Sequence, residues 1–69
     1  MKAIKVFIDK SETIKMVEFI PQINQEENIA AMILNPDEFC VAATSETAMA
    51  WAKAVIISKF DDCSIEVIK

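Results

Sequence analysis

The chain contains no histidine, arginine, tyrosine or glycine. Histidine is the commonest acid–base group near neutral pH, so such catalysis would need a carboxylate or lysine with a shifted pKa. Phosphate-binding loops need glycine where the backbone approaches the ligand, which excludes the P-loop and the dinucleotide-binding turn. Two cysteines without histidine cannot supply the four ligands of a structural zinc site. We therefore expect a non-enzymatic protein without a cofactor or metal.

The two cysteines, Cys40 and Cys63, stand within apolar stretches. The first residues, KAIKVFID, lack the features of a signal peptide, which predicts reduced, inert thiols in a cytosolic protein. A disulfide stays open if the strands that carry the two cysteines are neighbours. A cysteine nucleophile would have to be activated by a carboxylate or a lysine in place of an imidazole.

Charge is unevenly distributed along the chain, whose net charge is −4. Residues 21–50 contain no lysine and carry five acids, which are Glu26, Glu27, Asp37, Glu38 and Glu46. These acids either solvate loops and a helix start, or they form a surface for a basic partner, where complementary charge raises association rate and specificity. Nucleic-acid binding is disfavoured, because the 7 lysines are scattered and no arginine accompanies them.

The first part of the chain shows the two-residue period of a strand. Residues 2–9 place Ile4, Val6 and Ile8 on one face. Apolar residues resume over 13–20 after a short polar break, so the sequence predicts a β-hairpin. Pro21 cannot donate to a strand ladder, which predicts that 21–28 is a polar connection.

Residues 29–34 (IAAMIL) fit two structures. As a helix, Asn24 would be the N-cap, Glu27 would complete a capping box, and Pro36 would end the helix. As a strand, they would pair with residues 39–43 through a turn that has proline at its second position. We favour the strand, and the helix stays open because periodicity does not decide short apolar runs.

The strongest pattern is a helix from Glu46 to about Phe60, capped by Thr44 or Ser45. An apolar stripe at helical spacing should face the sheet; its members are Ala48, Met49, Ala52, Val55 and Ile56. The opposite side has little charge and, together with the flanking Trp51, is a candidate docking surface; it carries Ala50, Lys53, Ala54 and Ile57. A last strand, 63–69, is predicted to pair in parallel with 39–43.

These elements predict one α+β domain over residues 1–69, a small, mostly antiparallel sheet of four to five strands with one main helix on one face. The other face would expose a large apolar patch; it is expected to include Phe7, Val17, Phe19, Ile68 and half of residues 29–34. A domain of this size buries only about 60% of its unfolded surface, so a homodimer or a protein partner is expected to cover that face. No apolar run approaches the roughly 20 residues of a membrane span.

We expect a small acidic, non-catalytic protein–protein interaction module that forms a homodimer and blocks a basic surface of a larger protein. The candidate partner-binding residues are Glu26, Glu27, Asp37, Glu38, Glu46, Ala50, Trp51, Ala54 and Ile57. In size, acidity and lack of catalytic side chains the chain resembles small accessory proteins of phages and mobile elements, including inhibitors of host defence and antitoxins. The alternative is a small-molecule binding or cysteine-dependent catalytic domain with a pocket between subunits.

Overall fold

The structure, a computed structural model, describes residues 2–68 and consists of a four-stranded sheet and two α-helices. The elements are β1 (Lys2–Phe7), α1 (Thr13–Ile23), β2 (Ile29–Asn35), β3 (Glu38–Ala43), α2 (Glu46–Lys59) and β4 (Ser64–Ile68). The strands are antiparallel to their neighbours in the order β2-β3-β1-β4. The predicted α+β class with a small antiparallel sheet is confirmed.

Each helix connects two strands that run in the same direction and have a third strand between them. β1 lies between β3 and β4, so α2 crosses over β1, and β3 separates the two strands that α1 joins. This is the split β-α-β connectivity of ferredoxin-like folds. The predicted parallel pairing of 39–43 with 63–69 is therefore wrong: β3 and β4 have the same direction, but both pair with β1. The central position of β1 in the sheet agrees with the burial of its Ile4 and Val6 side chains, which are almost fully buried.

The predicted hairpin over residues 2–20 is also wrong, because 13–20 belong to α1 and only residues 2–7 form a strand. The buried residues of α1 recur at helical spacing; they are Met16, Phe19, Ile20 and Ile23. Ile14 and Val17, which are 75% and 51% exposed, produce the alternation that suggested a strand. Pro21 lies inside the helix, where it cannot donate a hydrogen bond to the Val17 carbonyl.

The predicted polar connection over 21–28 is wrong at its start, because α1 continues to Ile23. The predicted strand over 29–34, the helix that starts at Glu46 and the last strand up to Ile68 are confirmed, and residue 69 of that strand lies outside the described residues. Residues 29–34 form a strand that pairs with β3 in antiparallel register. The second helix begins after Ser45, whose hydroxyl accepts a hydrogen bond from the Ala48 N–H at 3.1 Å. It ends at Lys59, and the Phe60 N–H bonds to the Ile56 carbonyl.

The sequence predicted one main helix on one face of the sheet, whereas the structure has two helices, and both pack on the same face. The rings of Phe19, Phe39 and Phe60 meet there at centroid distances of 5.4 to 6.1 Å. Met49, Ala52 and Ile56 are the buried residues of α2. The core therefore lies entirely on one side, and within residues 2–68 no helix covers the opposite side of the sheet.

Candidate interaction surfaces

The uncovered side of the sheet, here called the open face, consists of three rows of residues that lie opposite one another across the four strands. The first row is Ile68, Ala3, Ala42 and Ala30, from β4 to β2. The second row is Glu66, Lys5, Cys40 and Met32, and the third is Ser64, Phe7, Glu38 and Asn35. These rows follow from the strand register, because alternate residues of a strand share one face.

The first row is entirely apolar and, apart from Ile68, consists of alanine. The neighbouring Met32 is 59% exposed and Ile68 is 40% exposed, so large apolar side chains border the alanines. A shallow apolar depression of about 310 Å³ lies between them. Short side chains between long ones allow another protein surface to approach the backbone of the sheet closely. Phe7, Ile68 and Met32 lie on this face as predicted. The same prediction is wrong for Phe19, which is in the core, and for Val17, which is exposed on α1.

The open face carries one lysine and two glutamates, and the lysine forms an ion pair with one of them. Lys5 Nζ lies 3.6 Å from Glu38 Oε2, and the Glu38 side chain is only 13% exposed. Asn35 Nδ2 donates a hydrogen bond of 2.6 Å to the other oxygen of Glu38. Glu66 lies opposite Lys5 in the register of β1 and β4. Paired charges of this kind can be covered by a partner more easily than an isolated one.

The outer edge of β2 is occupied by a side chain from the end of α1. The Asn24 Oδ1 accepts a hydrogen bond from the Ala31 N–H at 2.7 Å, and Nδ2 donates to the Ala31 carbonyl at 3.0 Å. Both backbone groups of Ala31 thus point away from β3, as in a non-hydrogen-bonded antiparallel pair. The carboxamide takes the place that a fifth strand would occupy at this residue.

The acids of residues 21–50 do not form one surface. Glu26 and Glu27 follow α1 and line a depression beside the first turn of α2. Asp37 and Glu38 lie at the opposite end of β2, where the chain turns into β3. Glu46 forms an ion pair of 3.3 Å with Lys2. The structure therefore separates the predicted acidic residues into two ends of the molecule.

The predicted residues of α2 lie on its exposed sides. Ala50 and Ala54 are exposed, and Ile57 is 61% exposed. Trp51 is 44% exposed and faces the C-terminal half of α1, where it lines two depressions together with Glu26. Sequence reasoning identified Trp51 and Glu26 separately, and the fold brings them together.

A polar cluster links the start of α1 to the end of α2. Lys15 Nζ donates hydrogen bonds to Glu12 Oε2 at 2.8 Å and to the Lys59 carbonyl at 3.0 Å. The same ammonium lies 5.8 Å from the centre of the Phe60 ring. The hydrogen bond from Lys15 holds the pKa of Glu12 below its usual value, and Glu12 raises the pKa of Lys15. Sequence reasoning missed this cluster, whose members are 44 residues apart or more across the two helices.

Both cysteines are free and partly buried. Burial raises the pKa of the Cys63 thiol, and the nearby carboxylates of Glu12 and Asp62 raise it further. Since the thiolate is the reactive form, these surroundings do not activate Cys63 as a nucleophile. Cys40 lies in the second row of the open face, between Lys5 and Met32.

Across residues 2–68, no three Cys, Asp or Glu side chains come close enough together to hold a metal ion. Neither helix in that range has the length and apolar character needed to cross a bilayer. Comparison with protein-family models, curated proteins and solved structures finds no match to this chain. The open face and the exposed sides of the helices are therefore the features of this chain that bear on its function.

Proposed function

We propose that this chain is a non-catalytic protein–protein interaction module that pairs with a second copy of itself through the open face. The observation that carries the proposal is the first row of that face, in which Ala3, Ala30 and Ala42 lie in register beside Ile68. Burial of this apolar row against a second copy is favourable because it removes apolar surface from water. The paired Lys5 and Glu38 in the neighbouring rows supply polar contacts at its border.

The charge pattern favours one of the two face-to-face symmetries in which all three rows are covered. A two-fold axis parallel to the strands places β1 over β3 of the second copy and keeps the order of the rows, so that Ala3 faces Ala42 and Glu66 faces Met32. An axis across the strands places each strand over its own copy and, centred on the second row, brings Lys5 against Lys5 and Glu66 against Glu66. Like charges in contact are unfavourable, so we infer the parallel axis.

The size of the face predicts a weak dimer. Four strands about 4.8 Å apart and three rows about 7 Å apart give a footprint of about 400 Å² on each copy. Stable interfaces of standard size bury roughly 800 Å² per partner, so this contact belongs to the transient class. We expect dissociation in the micromolar to millimolar range and a dimer that assembles where the protein is concentrated or a further partner holds it.

Pairing through the sheet leaves the helices uncovered, and these surfaces remain available to a larger protein. In this role we propose that the module blocks a basic surface of its target and so acts as an inhibitor. The target contacts are proposed on the helix side because Trp51, Ala54 and Ile57 are exposed there. The two surfaces are independent, so loss of one should not abolish the other.

The dimer is tested by light scattering coupled to size exclusion, and by sedimentation, from about 1 µM to about 1 mM protein. Ala42→Lys places a charge in the centre of the apolar row and should shift the protein to monomer. Ala54→Lys is the matched control, because it makes the same change on the exposed side of α2 and should leave the dimer intact. A monomer throughout the range, or dissociation by the Ala54 variant instead, would contradict the proposed interface.

A further inference from the structure

The groove between α1 and α2 beside Trp51 has a composition that suits a cationic segment. Two depressions of about 280 and 330 Å³ flank the Trp51 side chain, and Glu26 lines both. We call this region the Trp51 groove. Its floor is apolar, with Phe19, Ile23 and Val55 below the first depression, and Glu27 joins Glu26 at the second.

Within residues 2–68, the carboxylates of the Trp51 groove have no lysine beside them, in contrast to three glutamates elsewhere in the chain. Glu12, Glu38 and Glu46 each form an ion pair with a lysine. Among residues 2–68, neither Glu26 nor Glu27 forms one, and no lysine lines either depression. The negative charge of the groove is therefore not balanced by side chains of its own walls.

The helix ends reinforce this charge. The last turn of α1 carries no basic residue, although the negative end of a helix dipole favours cations there. The positive end of α2, which opens beside Glu27, is already met by the Ser45 hydroxyl and by Glu46. A cation that enters between Glu26 and Trp51 would thus lie near two carboxylates, the C-terminus of α1 and the exposed Trp51 side chain.

We propose that the Trp51 groove binds an arginine- or lysine-bearing segment of a partner protein, with the cationic group over the Trp51 indole and beside Glu26. Tryptophan is the strongest cation–π partner among the aromatic side chains. Arginine is preferred over lysine because its planar guanidinium can stack on the indole while it bonds to a carboxylate. This proposal deepens the proposed function, since it assigns the basic target surface to particular residues.

Trp51 is the only tryptophan of the chain, so its fluorescence reports directly on the groove. The probe is an acetylated and amidated peptide of alternating arginine and alanine, and its matched control carries citrulline, the neutral isostere of arginine. A third peptide carries lysine in place of arginine. We expect the arginine peptide to shift the Trp51 emission in a saturable way, the lysine peptide to bind more weakly, and the citrulline peptide to have no effect. Binding is measured independently by anisotropy of a labelled arginine peptide.

Variants separate local recognition from general attraction to an acidic protein. Glu26→Gln with Glu27→Gln should weaken the arginine peptide about tenfold, and Trp51→Leu should weaken it about fivefold. Asp61→Asn with Asp62→Asn changes the net charge equally at the other end of the molecule and should alter the affinity less than about twofold. Circular dichroism checks that each variant is folded.

The Ala42→Lys variant is expected to be monomeric if the sheet dimer is correct, and it should bind the arginine peptide as tightly as the wild type does. Failure of the proposed dimer can therefore be distinguished from failure of the proposed groove. Three results would each overturn the assignment of the groove. They are a loss of affinity in the Asp61 and Asp62 variant as large as that in the Glu26 and Glu27 variant, binding of the citrulline peptide as tight as that of the arginine peptide, and no binding of the arginine peptide at millimolar concentration.

Discussion

At the residue scale, one side chain decides how the sheet ends. β2 is seven residues long and contains no charge, proline or glycine, and exposed edges of this kind readily add another strand. The Asn24 carboxamide occupies both backbone groups of Ala31 and so prevents pairing in the middle of this edge. Asn24 was a candidate helix cap in the sequence, and its actual role depends on a contact seven residues away that no local pattern reveals.

We predict that Asn24→Ala opens the edge of β2. Two hydrogen bonds are lost, which should lower the free energy of unfolding by about 1 to 2 kcal/mol, measured in urea. Amide exchange of Ala31 should accelerate, and the concentrated protein should scatter more light on standing. Asn24→Asp is the informative control, because its carboxylate can accept from the Ala31 N–H but cannot donate to the carbonyl. If Ala31 exchanges at the same rate in all three proteins, Asn24 does not protect the edge.

At the scale of elements, the sequence correctly predicted the helices and strands in which the hydrophobic periodicity and the residues at the two ends indicate the same structure. The helix over 46–59 has a serine cap and a regular stripe, and residues 29–34 have turn residues on both sides. α1 was missed because the exposed Ile14 and Val17 imitate strand alternation, and Pro21 hid the last buried residue, Ile23. The order of the strands was missed because a helical crossover does not tell whether the strands it joins are adjacent.

The same limit applies to the candidate surfaces. Glu26, Glu27 and Trp51 were identified from charge and residue type, but their proximity is created by the packing of α1 against the sheet. Asp37 and Glu38 carry the same charge signal and lie at the other end of the molecule. The sequence therefore shows where the acidic residues lie along the chain. Only the fold shows that they lie at two opposite ends of the molecule.

The contact between the ends of the helices should make stability depend on pH. Because the pKa of Glu12 is lowered in the folded protein, its contribution is present above the usual value of 4.5 and is lost as the pH falls through the folded value. The pKa of Lys15 is raised, so its contribution is present below the usual 10.5 and is lost as the pH rises further. The ion pair thus stabilises the junction of the helices between these limits.

Glu12→Gln should therefore lower the urea midpoint at pH 7 and have little effect at about pH 2, where both proteins carry a neutral side chain. Glu18→Gln is the matched control, since Glu18 is exposed on α1 and forms no ion pair within residues 2–68. A difference between Glu12→Gln and wild type that stays constant from pH 7 to the acid limit would show that the charge of Glu12 does not hold the helix ends together.

At the scale of the whole molecule, the fold is a two-layer structure with apolar surface on both sides of the sheet. The helix layer buries Ile4, Val6 and Phe39, and the open face presents Ala3, Ala42 and Met32 in the alternate positions. A second copy would turn two layers into four, with both sheets inside. Because the helix side stays outside, self-association and capture of a basic partner are compatible in one assembly.

The position of Cys40 gives this assembly an internal probe. Cys40 lies in the second row of the open face, whereas Cys63 packs against the core on the helix side. With iodoacetamide in excess, labelling of Cys40 relative to Cys63 should fall as the protein is raised from about 1 µM to about 1 mM, because the dimer covers only Cys40. The raised pKa of Cys63 makes its labelling slow at every concentration, and mass spectrometry of peptides separates the two sites. The Ala42→Lys variant should show a constant ratio; a constant ratio in the wild type as well would mean that the open face is not the surface through which the copies meet.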